Sequence, residues 1–157
     1  MEKRILIPTD FQVESLNTLK LALSQNSDVK IRAMLMHGLY LDQSISDLLF
    51  YSEHNLRKKY MSDSFRESLD ILNNSFERQL VACQILFFHG YNLTAFNRFL
   101  SAHQIDEIFL PKRYQFKLSD ASFDTQHLIK KAGLPVTEVD WPDAGAEGNQ
   151  LSNLFIA

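Results

Sequence analysis

Asp10 stands two residues after Pro8, which stops a short apolar run, Ile5-Leu6-Ile7. A carboxylate there has two possible uses. It can hold a ligand, because open α/β sheets bind ligands at the carboxyl ends of their strands. It can instead cap or orient the turn into the next helix through backbone hydrogen bonds. His37 and His89 also close apolar runs, and each is followed by glycine. Two imidazoles and a carboxylate are a familiar metal-ligand set, so these three residues raise that question first. Lys112, Arg113 and Lys117 place three positive charges within six residues after Pro111. Such a cluster can grip a phosphate or an acidic partner by side chain, or it is simply a solvated loop. Arg57-Lys58-Lys59 reads as the exposed face and end of a helix. Cys83 lies in an apolar stretch and reads as a small core hydrophobe, not a nucleophile. The chain carries no nucleophile elbow, P-loop or dinucleotide fingerprint, and no carboxylate pair stands out. No catalytic residue is assigned, and the expectation is a protein that is not an enzyme.

Composition narrows the classes further. The chain has 157 residues, 45% hydrophobic and 22% charged, which is one globular domain's worth of sequence. Sixteen Lys and Arg stand against 19 Asp and Glu, a net charge of -3, so a nonspecific nucleic-acid binder is not expected. A single cysteine excludes an intrachain disulfide and a cysteine-built metal cage. No stretch has the length of a membrane span, and the apolar run near the start is too short for a secretory signal. The expected location is therefore cytoplasmic, with no membrane partner.

The elements that must position these residues alternate. Ile5-Leu6-Ile7 reads as a buried strand. Leu16, Leu19 and Leu23 recur at helical spacing, opened by Glu14-Ser15 and ended by Gln25-Asn26-Ser27. Val29 to Met36 is a second strand, closed by His37-Gly38. A helical region over 44–79 follows, with a break near Lys58 to Tyr60. Ser62 or Ser64 can cap its second half, and Ser64 to Glu67 has capping-box spacing. Phe65, Leu69, Leu72 and Phe76 form its apolar stripe. Ala82 to Phe88 is the third strand, and residues 93–100 the next helix. Ile105 to Leu110 is a strand ended by Pro111. A helix over Ser122 to Lys131 stops at Gly133, and residues 135–139 give a last strand. Adjacent Phe87 and Phe88 must point to opposite faces, so both are buried only if helices cover both faces of the sheet. The twelve Phe otherwise read mostly as core. A parallel sheet with helices on both sides accounts for the order. Residues 1–141 form the α/β domain, and 142–157 a turn-rich and then apolar tail.

The opening Ile5-Leu6-Ile7-Pro8-Thr9-Asp10-Phe11, followed by Glu14-Ser15-Leu16 and Leu19, resembles the first strand, turn and helix start of the universal stress protein family. Residues 105–110, Ile-Asp-Glu-Ile-Phe-Leu, are similar to its fourth strand, and Leu134-Pro135-Val136 with Val139 to its last. Gly90 falls where the family commonly has a glycine. The resemblance covers roughly residues 3–141. It implies an open five-stranded parallel sheet in the order 3-2-1-4-5 and a homodimer formed through the last strand. In that order the second strand separates the third from the first. Strand spacing of about 4.8 Å then puts Asp10 and His89 roughly 10 Å apart, which argues against a metal site.

One branch of the family binds ATP through a loop after the fourth strand, Gly-x-x-Gly and then Gly-Ser or Gly-Thr. Glycines there let backbone N–H groups approach the phosphates. This chain has no glycine between Gly90 and Gly133, and the loop opens with Pro111-Lys112-Arg113-Tyr114. The resemblance therefore implies a regulatory or scaffolding protein that lacks the ATP loop and needs no cofactor. It acts by dimerising or by binding a protein partner. The alternative is a small-molecule or adenine-nucleotide binder using Pro8, Asp10, His37, Lys112 and Arg113. A hydrolase or transferase on the same scaffold is the third possibility.

Overall fold

Apolar runs that are hydrophobic on both sides of the chain have to be covered on both sides, and here they are. In the computed structural model, which describes residues 1–40 and 53–142, Ile5, Leu6 and Ile7 have no exposed surface. They lie in strand β1 (Glu2–Pro8), at the centre of a five-stranded parallel sheet. The other strands are β2 (Lys30–Gly38), β3 (Leu80–Phe88), β4 (Glu107–Pro111) and β5 (Val136–Val139). Their order is β3-β2-β1-β4-β5, as the resemblance implies.

A 3-10 turn (Val13–Ser15) leads into helix α1 (Leu16–Gln25). Helices α2 (Glu53–Tyr60) and α3 (Asp63–Ser75) precede β3, α4 (Leu93–Ala102) follows it, and α5 (Gln126–Lys131) precedes β5. Ile5, Ile7, Leu35 and Phe87 pack with Leu19 and Leu23 of α1 and Phe65 and Leu69 of α3 on one face. Leu6, Met34, Phe88 and Ile108 pack with Phe96 and Leu100 of α4 and Ile129 of α5 on the other. Phe87 and Phe88 thus fall on opposite faces, as their adjacency requires. Each such buried side chain stabilises the fold by about 1.5–3 kcal/mol.

Several boundaries differ from expectation for local reasons. Helix α3 is capped by Ser62, whose Oγ accepts from the Phe65 N–H at 3.1 Å, and the Ser64 capping box is not used. Residues 122–125 are not helical. Ser122 instead bridges Leu39, and the Phe123 N–H donates to the Gly38 carbonyl at 3.1 Å. Pro111 is the last residue of β4, not a stop outside it. Residues 44–52 of the expected long helical region, and the tail beyond Pro142, lie outside the described residues.

Two prolines open the carboxyl edge of the sheet. Alternate N–H groups of a parallel strand point to opposite neighbours. The Thr9 N–H donates to Met36 in β2, so Pro8, one residue earlier, would have faced β4. The N–H groups of Ile108 and Lys112 donate to the carbonyls of Pro135 and Val139, so Pro111 would have faced β1. Neither proline has an N–H to give. Pairing of β1 with β4 ends at Leu6 and Ile108, although β1 runs beside β2 as far as Pro8 and Met36. The strands part at the topological switch point, where sheets of this kind place ligands.

Candidate functional site

Residues 112–123 run across that edge, and three turns of hydrogen bonding pin them down. The first is at Asp10, which is buried. Its Oδ1 accepts from the Gln12 N–H at 3.0 Å, the turn role considered from sequence. Its Oδ2 also accepts from the Tyr114 hydroxyl at 2.6 Å and the Lys117 N–H at 2.9 Å. Burial, and then the bond to Asp10, push the Tyr114 hydroxyl well above the ordinary tyrosine range. The second is at Arg113, whose guanidinium pairs with Asp140 at 2.8 Å and donates to the Trp141 carbonyl at 3.2 Å. Arg113 holds the exposed Asp140 carboxyl below the usual range. The third is at His37.

His37 is 3% exposed and lies at the end of β2. Its Nδ1 is 2.8 Å from the Thr9 carbonyl, and its Nε2 is 2.7 Å from Ser122 Oγ. A carbonyl can only accept, so Nδ1 carries the proton and donates. In the neutral ring Nε2 then accepts from the Ser122 hydroxyl. Ser122 Oγ in turn accepts from Ser119 Oγ at 2.9 Å. Burial lowers the His37 pKa, against smaller opposing contributions from the Thr9 hydrogen bond and the Asp10 charge. The ring of Phe11 packs against His37 at 4.9 Å and against Tyr60 at 6.0 Å. Phe11 has a φ of 63°, a left-handed conformation that costs a bulky residue energy. The buried aromatic cluster around its ring holds it there.

On one side of residues 112–123 the edge is filled. Phe116, Leu118 and Phe123 pack over Pro8, Thr9 and Met36 and leave only about 10 Å³, too little for more than a water molecule. On the other side a cleft of about 630 Å³ remains. Asp10, Phe11, Gln12, His37 and Tyr60 line it, and Lys59, Lys117, Ser62, Ser64, Ser119 and Ser122 complete its walls. No ion pair involves Lys59 or Lys117 among the described residues. The cleft is thus a polar, net-cationic concavity with one aromatic wall.

Of the five residues named from sequence, Asp10 and His37 reach this cleft. Pro8 lies behind it in the filled pocket, while Lys112 and Arg113 are turned toward β5 and its following residues. His89 is separate, bonded through Nδ1 to the Leu39 carbonyl at 2.9 Å. No group of three or more His, Cys, Asp or Glu among the described residues is placed to hold a metal ion. Burial pushes the Cys83 thiol up to about 12, which removes it as a nucleophile near neutrality. Sequence reasoning missed Lys59, Tyr60, Ser119 and Ser122. From sequence, Ser122 starts a helix, Lys59 and Tyr60 fall near a helix break, and Ser119 has no assigned role.

The same arrangement of strands occurs in solved structures. The universal stress protein UspA from Lactobacillus plantarum superposes with a TM-score of 0.55 at 12% identity, covering 89% of this chain and 97% of that one. The hypothetical protein MJ0577 gives 0.54 at 19% identity, covering 90% and 97%. A universal stress protein family protein from Arabidopsis thaliana, solved with AMP bound, gives 0.50 at 12% identity, covering 94% and 97%. The chain has the universal stress protein fold. No protein-family model matches its sequence, and no curated protein sequence matches it either. No helix among the described residues is long and apolar enough to cross a membrane.

Proposed function

We propose that the protein is a regulatory binding domain whose cleft takes a small phosphorylated molecule, with AMP as the first probe. The cleft beside Asp10 and His37 carries this reading. Its volume of about 630 Å³ falls within the range of small-molecule sites. Lys59 and Lys117 supply positive charge without carboxylate partners among the described residues, serine hydroxyls supply hydrogen bonds, and Tyr60 offers a ring to stack on. The AMP-bound structure from Arabidopsis thaliana shares the fold, which supports a mononucleotide as the probe.

A triphosphate held by backbone is not part of the proposal. The N–H groups of Lys112, Lys117, Ser122 and Phe123 are spent on Val139, Asp10, Ser119 and Gly38. With those N–H groups engaged, the lysine side chains are the proposed phosphate contacts, and ordering two lysines costs entropy. Affinity for AMP is expected at about 10–100 μM, with ATP no tighter. Isothermal titration with AMP, ATP and inorganic phosphate tests this. The double variant Lys59→Glu, Lys117→Glu should weaken AMP at least tenfold. Absence of saturable AMP binding, or binding that the double variant leaves unchanged, would overturn the reading.

A further inference from the structure

We propose that Ser122 and His37 form a nucleophile–base pair on the wall of the cleft, able to accept an acyl group from a carboxylic ester. The proposal does not depend on which ligand the cleft has evolved to hold.

The geometry has the parts such chemistry needs. Ser122 Oγ lies 2.7 Å from His37 Nε2, the hydrogen bond through which a base activates a hydroxyl. The Thr9 carbonyl, 2.8 Å from Nδ1, fixes the tautomer that aims the Nε2 lone pair at Ser122. It fixes the tautomer as the carboxylate of a Ser-His-Asp arrangement does, but without that carboxylate's charge to stabilise an imidazolium. Phe11 at 4.9 Å and Tyr60 at 5.4 Å hold the ring in place. His37, Ser122, Ser119 and Lys117 all line the same cleft, with Ser122 8% exposed in its wall. The Ser119 hydroxyl, which donates to Ser122 Oγ at 2.9 Å at rest, is the donor on that wall that can turn to a developing oxyanion.

The reaction balances without a further reagent. Ser122 Oγ attacks the ester carbonyl carbon as its proton passes to His37 Nε2. The tetrahedral intermediate collapses, the carbon–oxygen bond to the alcohol breaks, and the alcohol leaves with the proton from Nε2. Acyl-Ser122 remains. A water molecule, losing its proton to Nε2, attacks that acyl group, and Ser122 departs with the proton while the carboxylic acid is released.

The test uses the full chain with a fluorophosphonate probe and with p-nitrophenyl acetate. Intact mass and peptide mapping should place one fluorophosphonate group on Ser122. Ser122→Ala should abolish that label and slow p-nitrophenolate release by about 100-fold or more, with an unchanged circular dichroism spectrum. Because His37 is buried and its variants can unfold, Ser122→Cys gives the second arm: the thiol beside His37 should react with iodoacetamide at least tenfold faster than Cys83. An unlabelled Ser122 in the folded protein, a label on a different serine, ester cleavage that survives Ser122→Ala, or a sluggish Cys at 122 would each overturn the proposal.

Discussion

Replacing Asp10 by alanine removes the latch that holds residues 112–123 over the sheet edge. Three donors lose their acceptor at once: the Gln12 N–H, the Tyr114 hydroxyl and the Lys117 N–H. A hydrogen bond to a charged group contributes about 1.5–3 kcal/mol. The three together do not reach that sum, because the sites are only part-buried and water replaces some of what is lost. Removing a buried carboxylate also relieves its desolvation cost. The expected loss is about 2–4 kcal/mol, which for a domain of this length lowers the melting temperature by roughly 4–16 °C. Asp10→Asn should do nearly as badly, since its amide nitrogen would face an N–H at Lys117. Urea unfolding gives the global loss. Trypsin gives the local one, because Lys112, Arg113 and Lys117 are its cleavage sites and lie within the latched segment. Unlatching should raise the initial cleavage rate there by about 10–100-fold, as a few kcal/mol of local opening free energy implies. If Asp10→Ala unfolds within about 0.5 kcal/mol of the parent and is cut no faster, the latch does not exist as described.

Three further outcomes follow from the same contacts. Gly38→Ala would put a Cβ 2.8 Å from the Phe123 carbonyl oxygen and 3.0 Å from Thr125 Cγ2. It should cost about 1–3 kcal/mol in urea unfolding, and no loss would mean residues 121–125 do not sit where described. Burial lowers the His37 pKa, so the unfolded state takes up its proton first as pH falls. The contribution of His37 is complete above about 6.5 and fades below it. Tyr114 is raised, so its contribution is complete below about 10 and fades above it. Urea midpoints measured against pH should therefore fall on both sides of a plateau. His37→Gln should flatten part of the acid limb and Tyr114→Phe part of the alkaline one, and limbs that both variants leave unaltered would contradict these assignments. Finally, β5 is an edge strand with Val136 exposed, a liability that pairing with a second copy removes. Light scattering should give twice 18.2 kDa, and a monomer mass at high concentration would exclude the dimer.

The sheet was legible because most of its strands carry short apolar runs, such as Ile5-Leu6-Ile7 and Ile85 to Phe88, that end near Pro8, Gly38, Gly90 and Pro111. Runs of that kind have few alternatives to a covered parallel sheet. Phe87 and Phe88 show why: two large adjacent aromatics require two covered faces. Asp10 was legible as a turn residue, since its bond to Gln12 spans two positions. Its second role was not, because Tyr114 and Lys117 are 104 and 107 residues away. The same holds for His37 and Ser122, separated by 85. Local signals misled at residues 122–125, where the pull of the Gly38 carbonyl and His37 outweighs helix propensity. Nor could they show that Arg113 pairs with Asp140, a residue beyond the next strand. The prolines were read as strand stops. Their effect on β1–β4 pairing depends on which neighbour each missing N–H would have faced, and that requires the register.

The central claim is that a phosphorylated small molecule enters the cleft beside Asp10 and His37. Titrating AMP into isotopically labelled protein, with amide shifts followed residue by residue, tests it most directly. Saturable shifts should centre on Gln12, Val13, Tyr60, Ser62, Ser64, Lys117 and Ser119 and leave Thr94, Asn97 and Arg98 of α4 unmoved. Saturable shifts centred elsewhere, or none at millimolar AMP, would contradict the account.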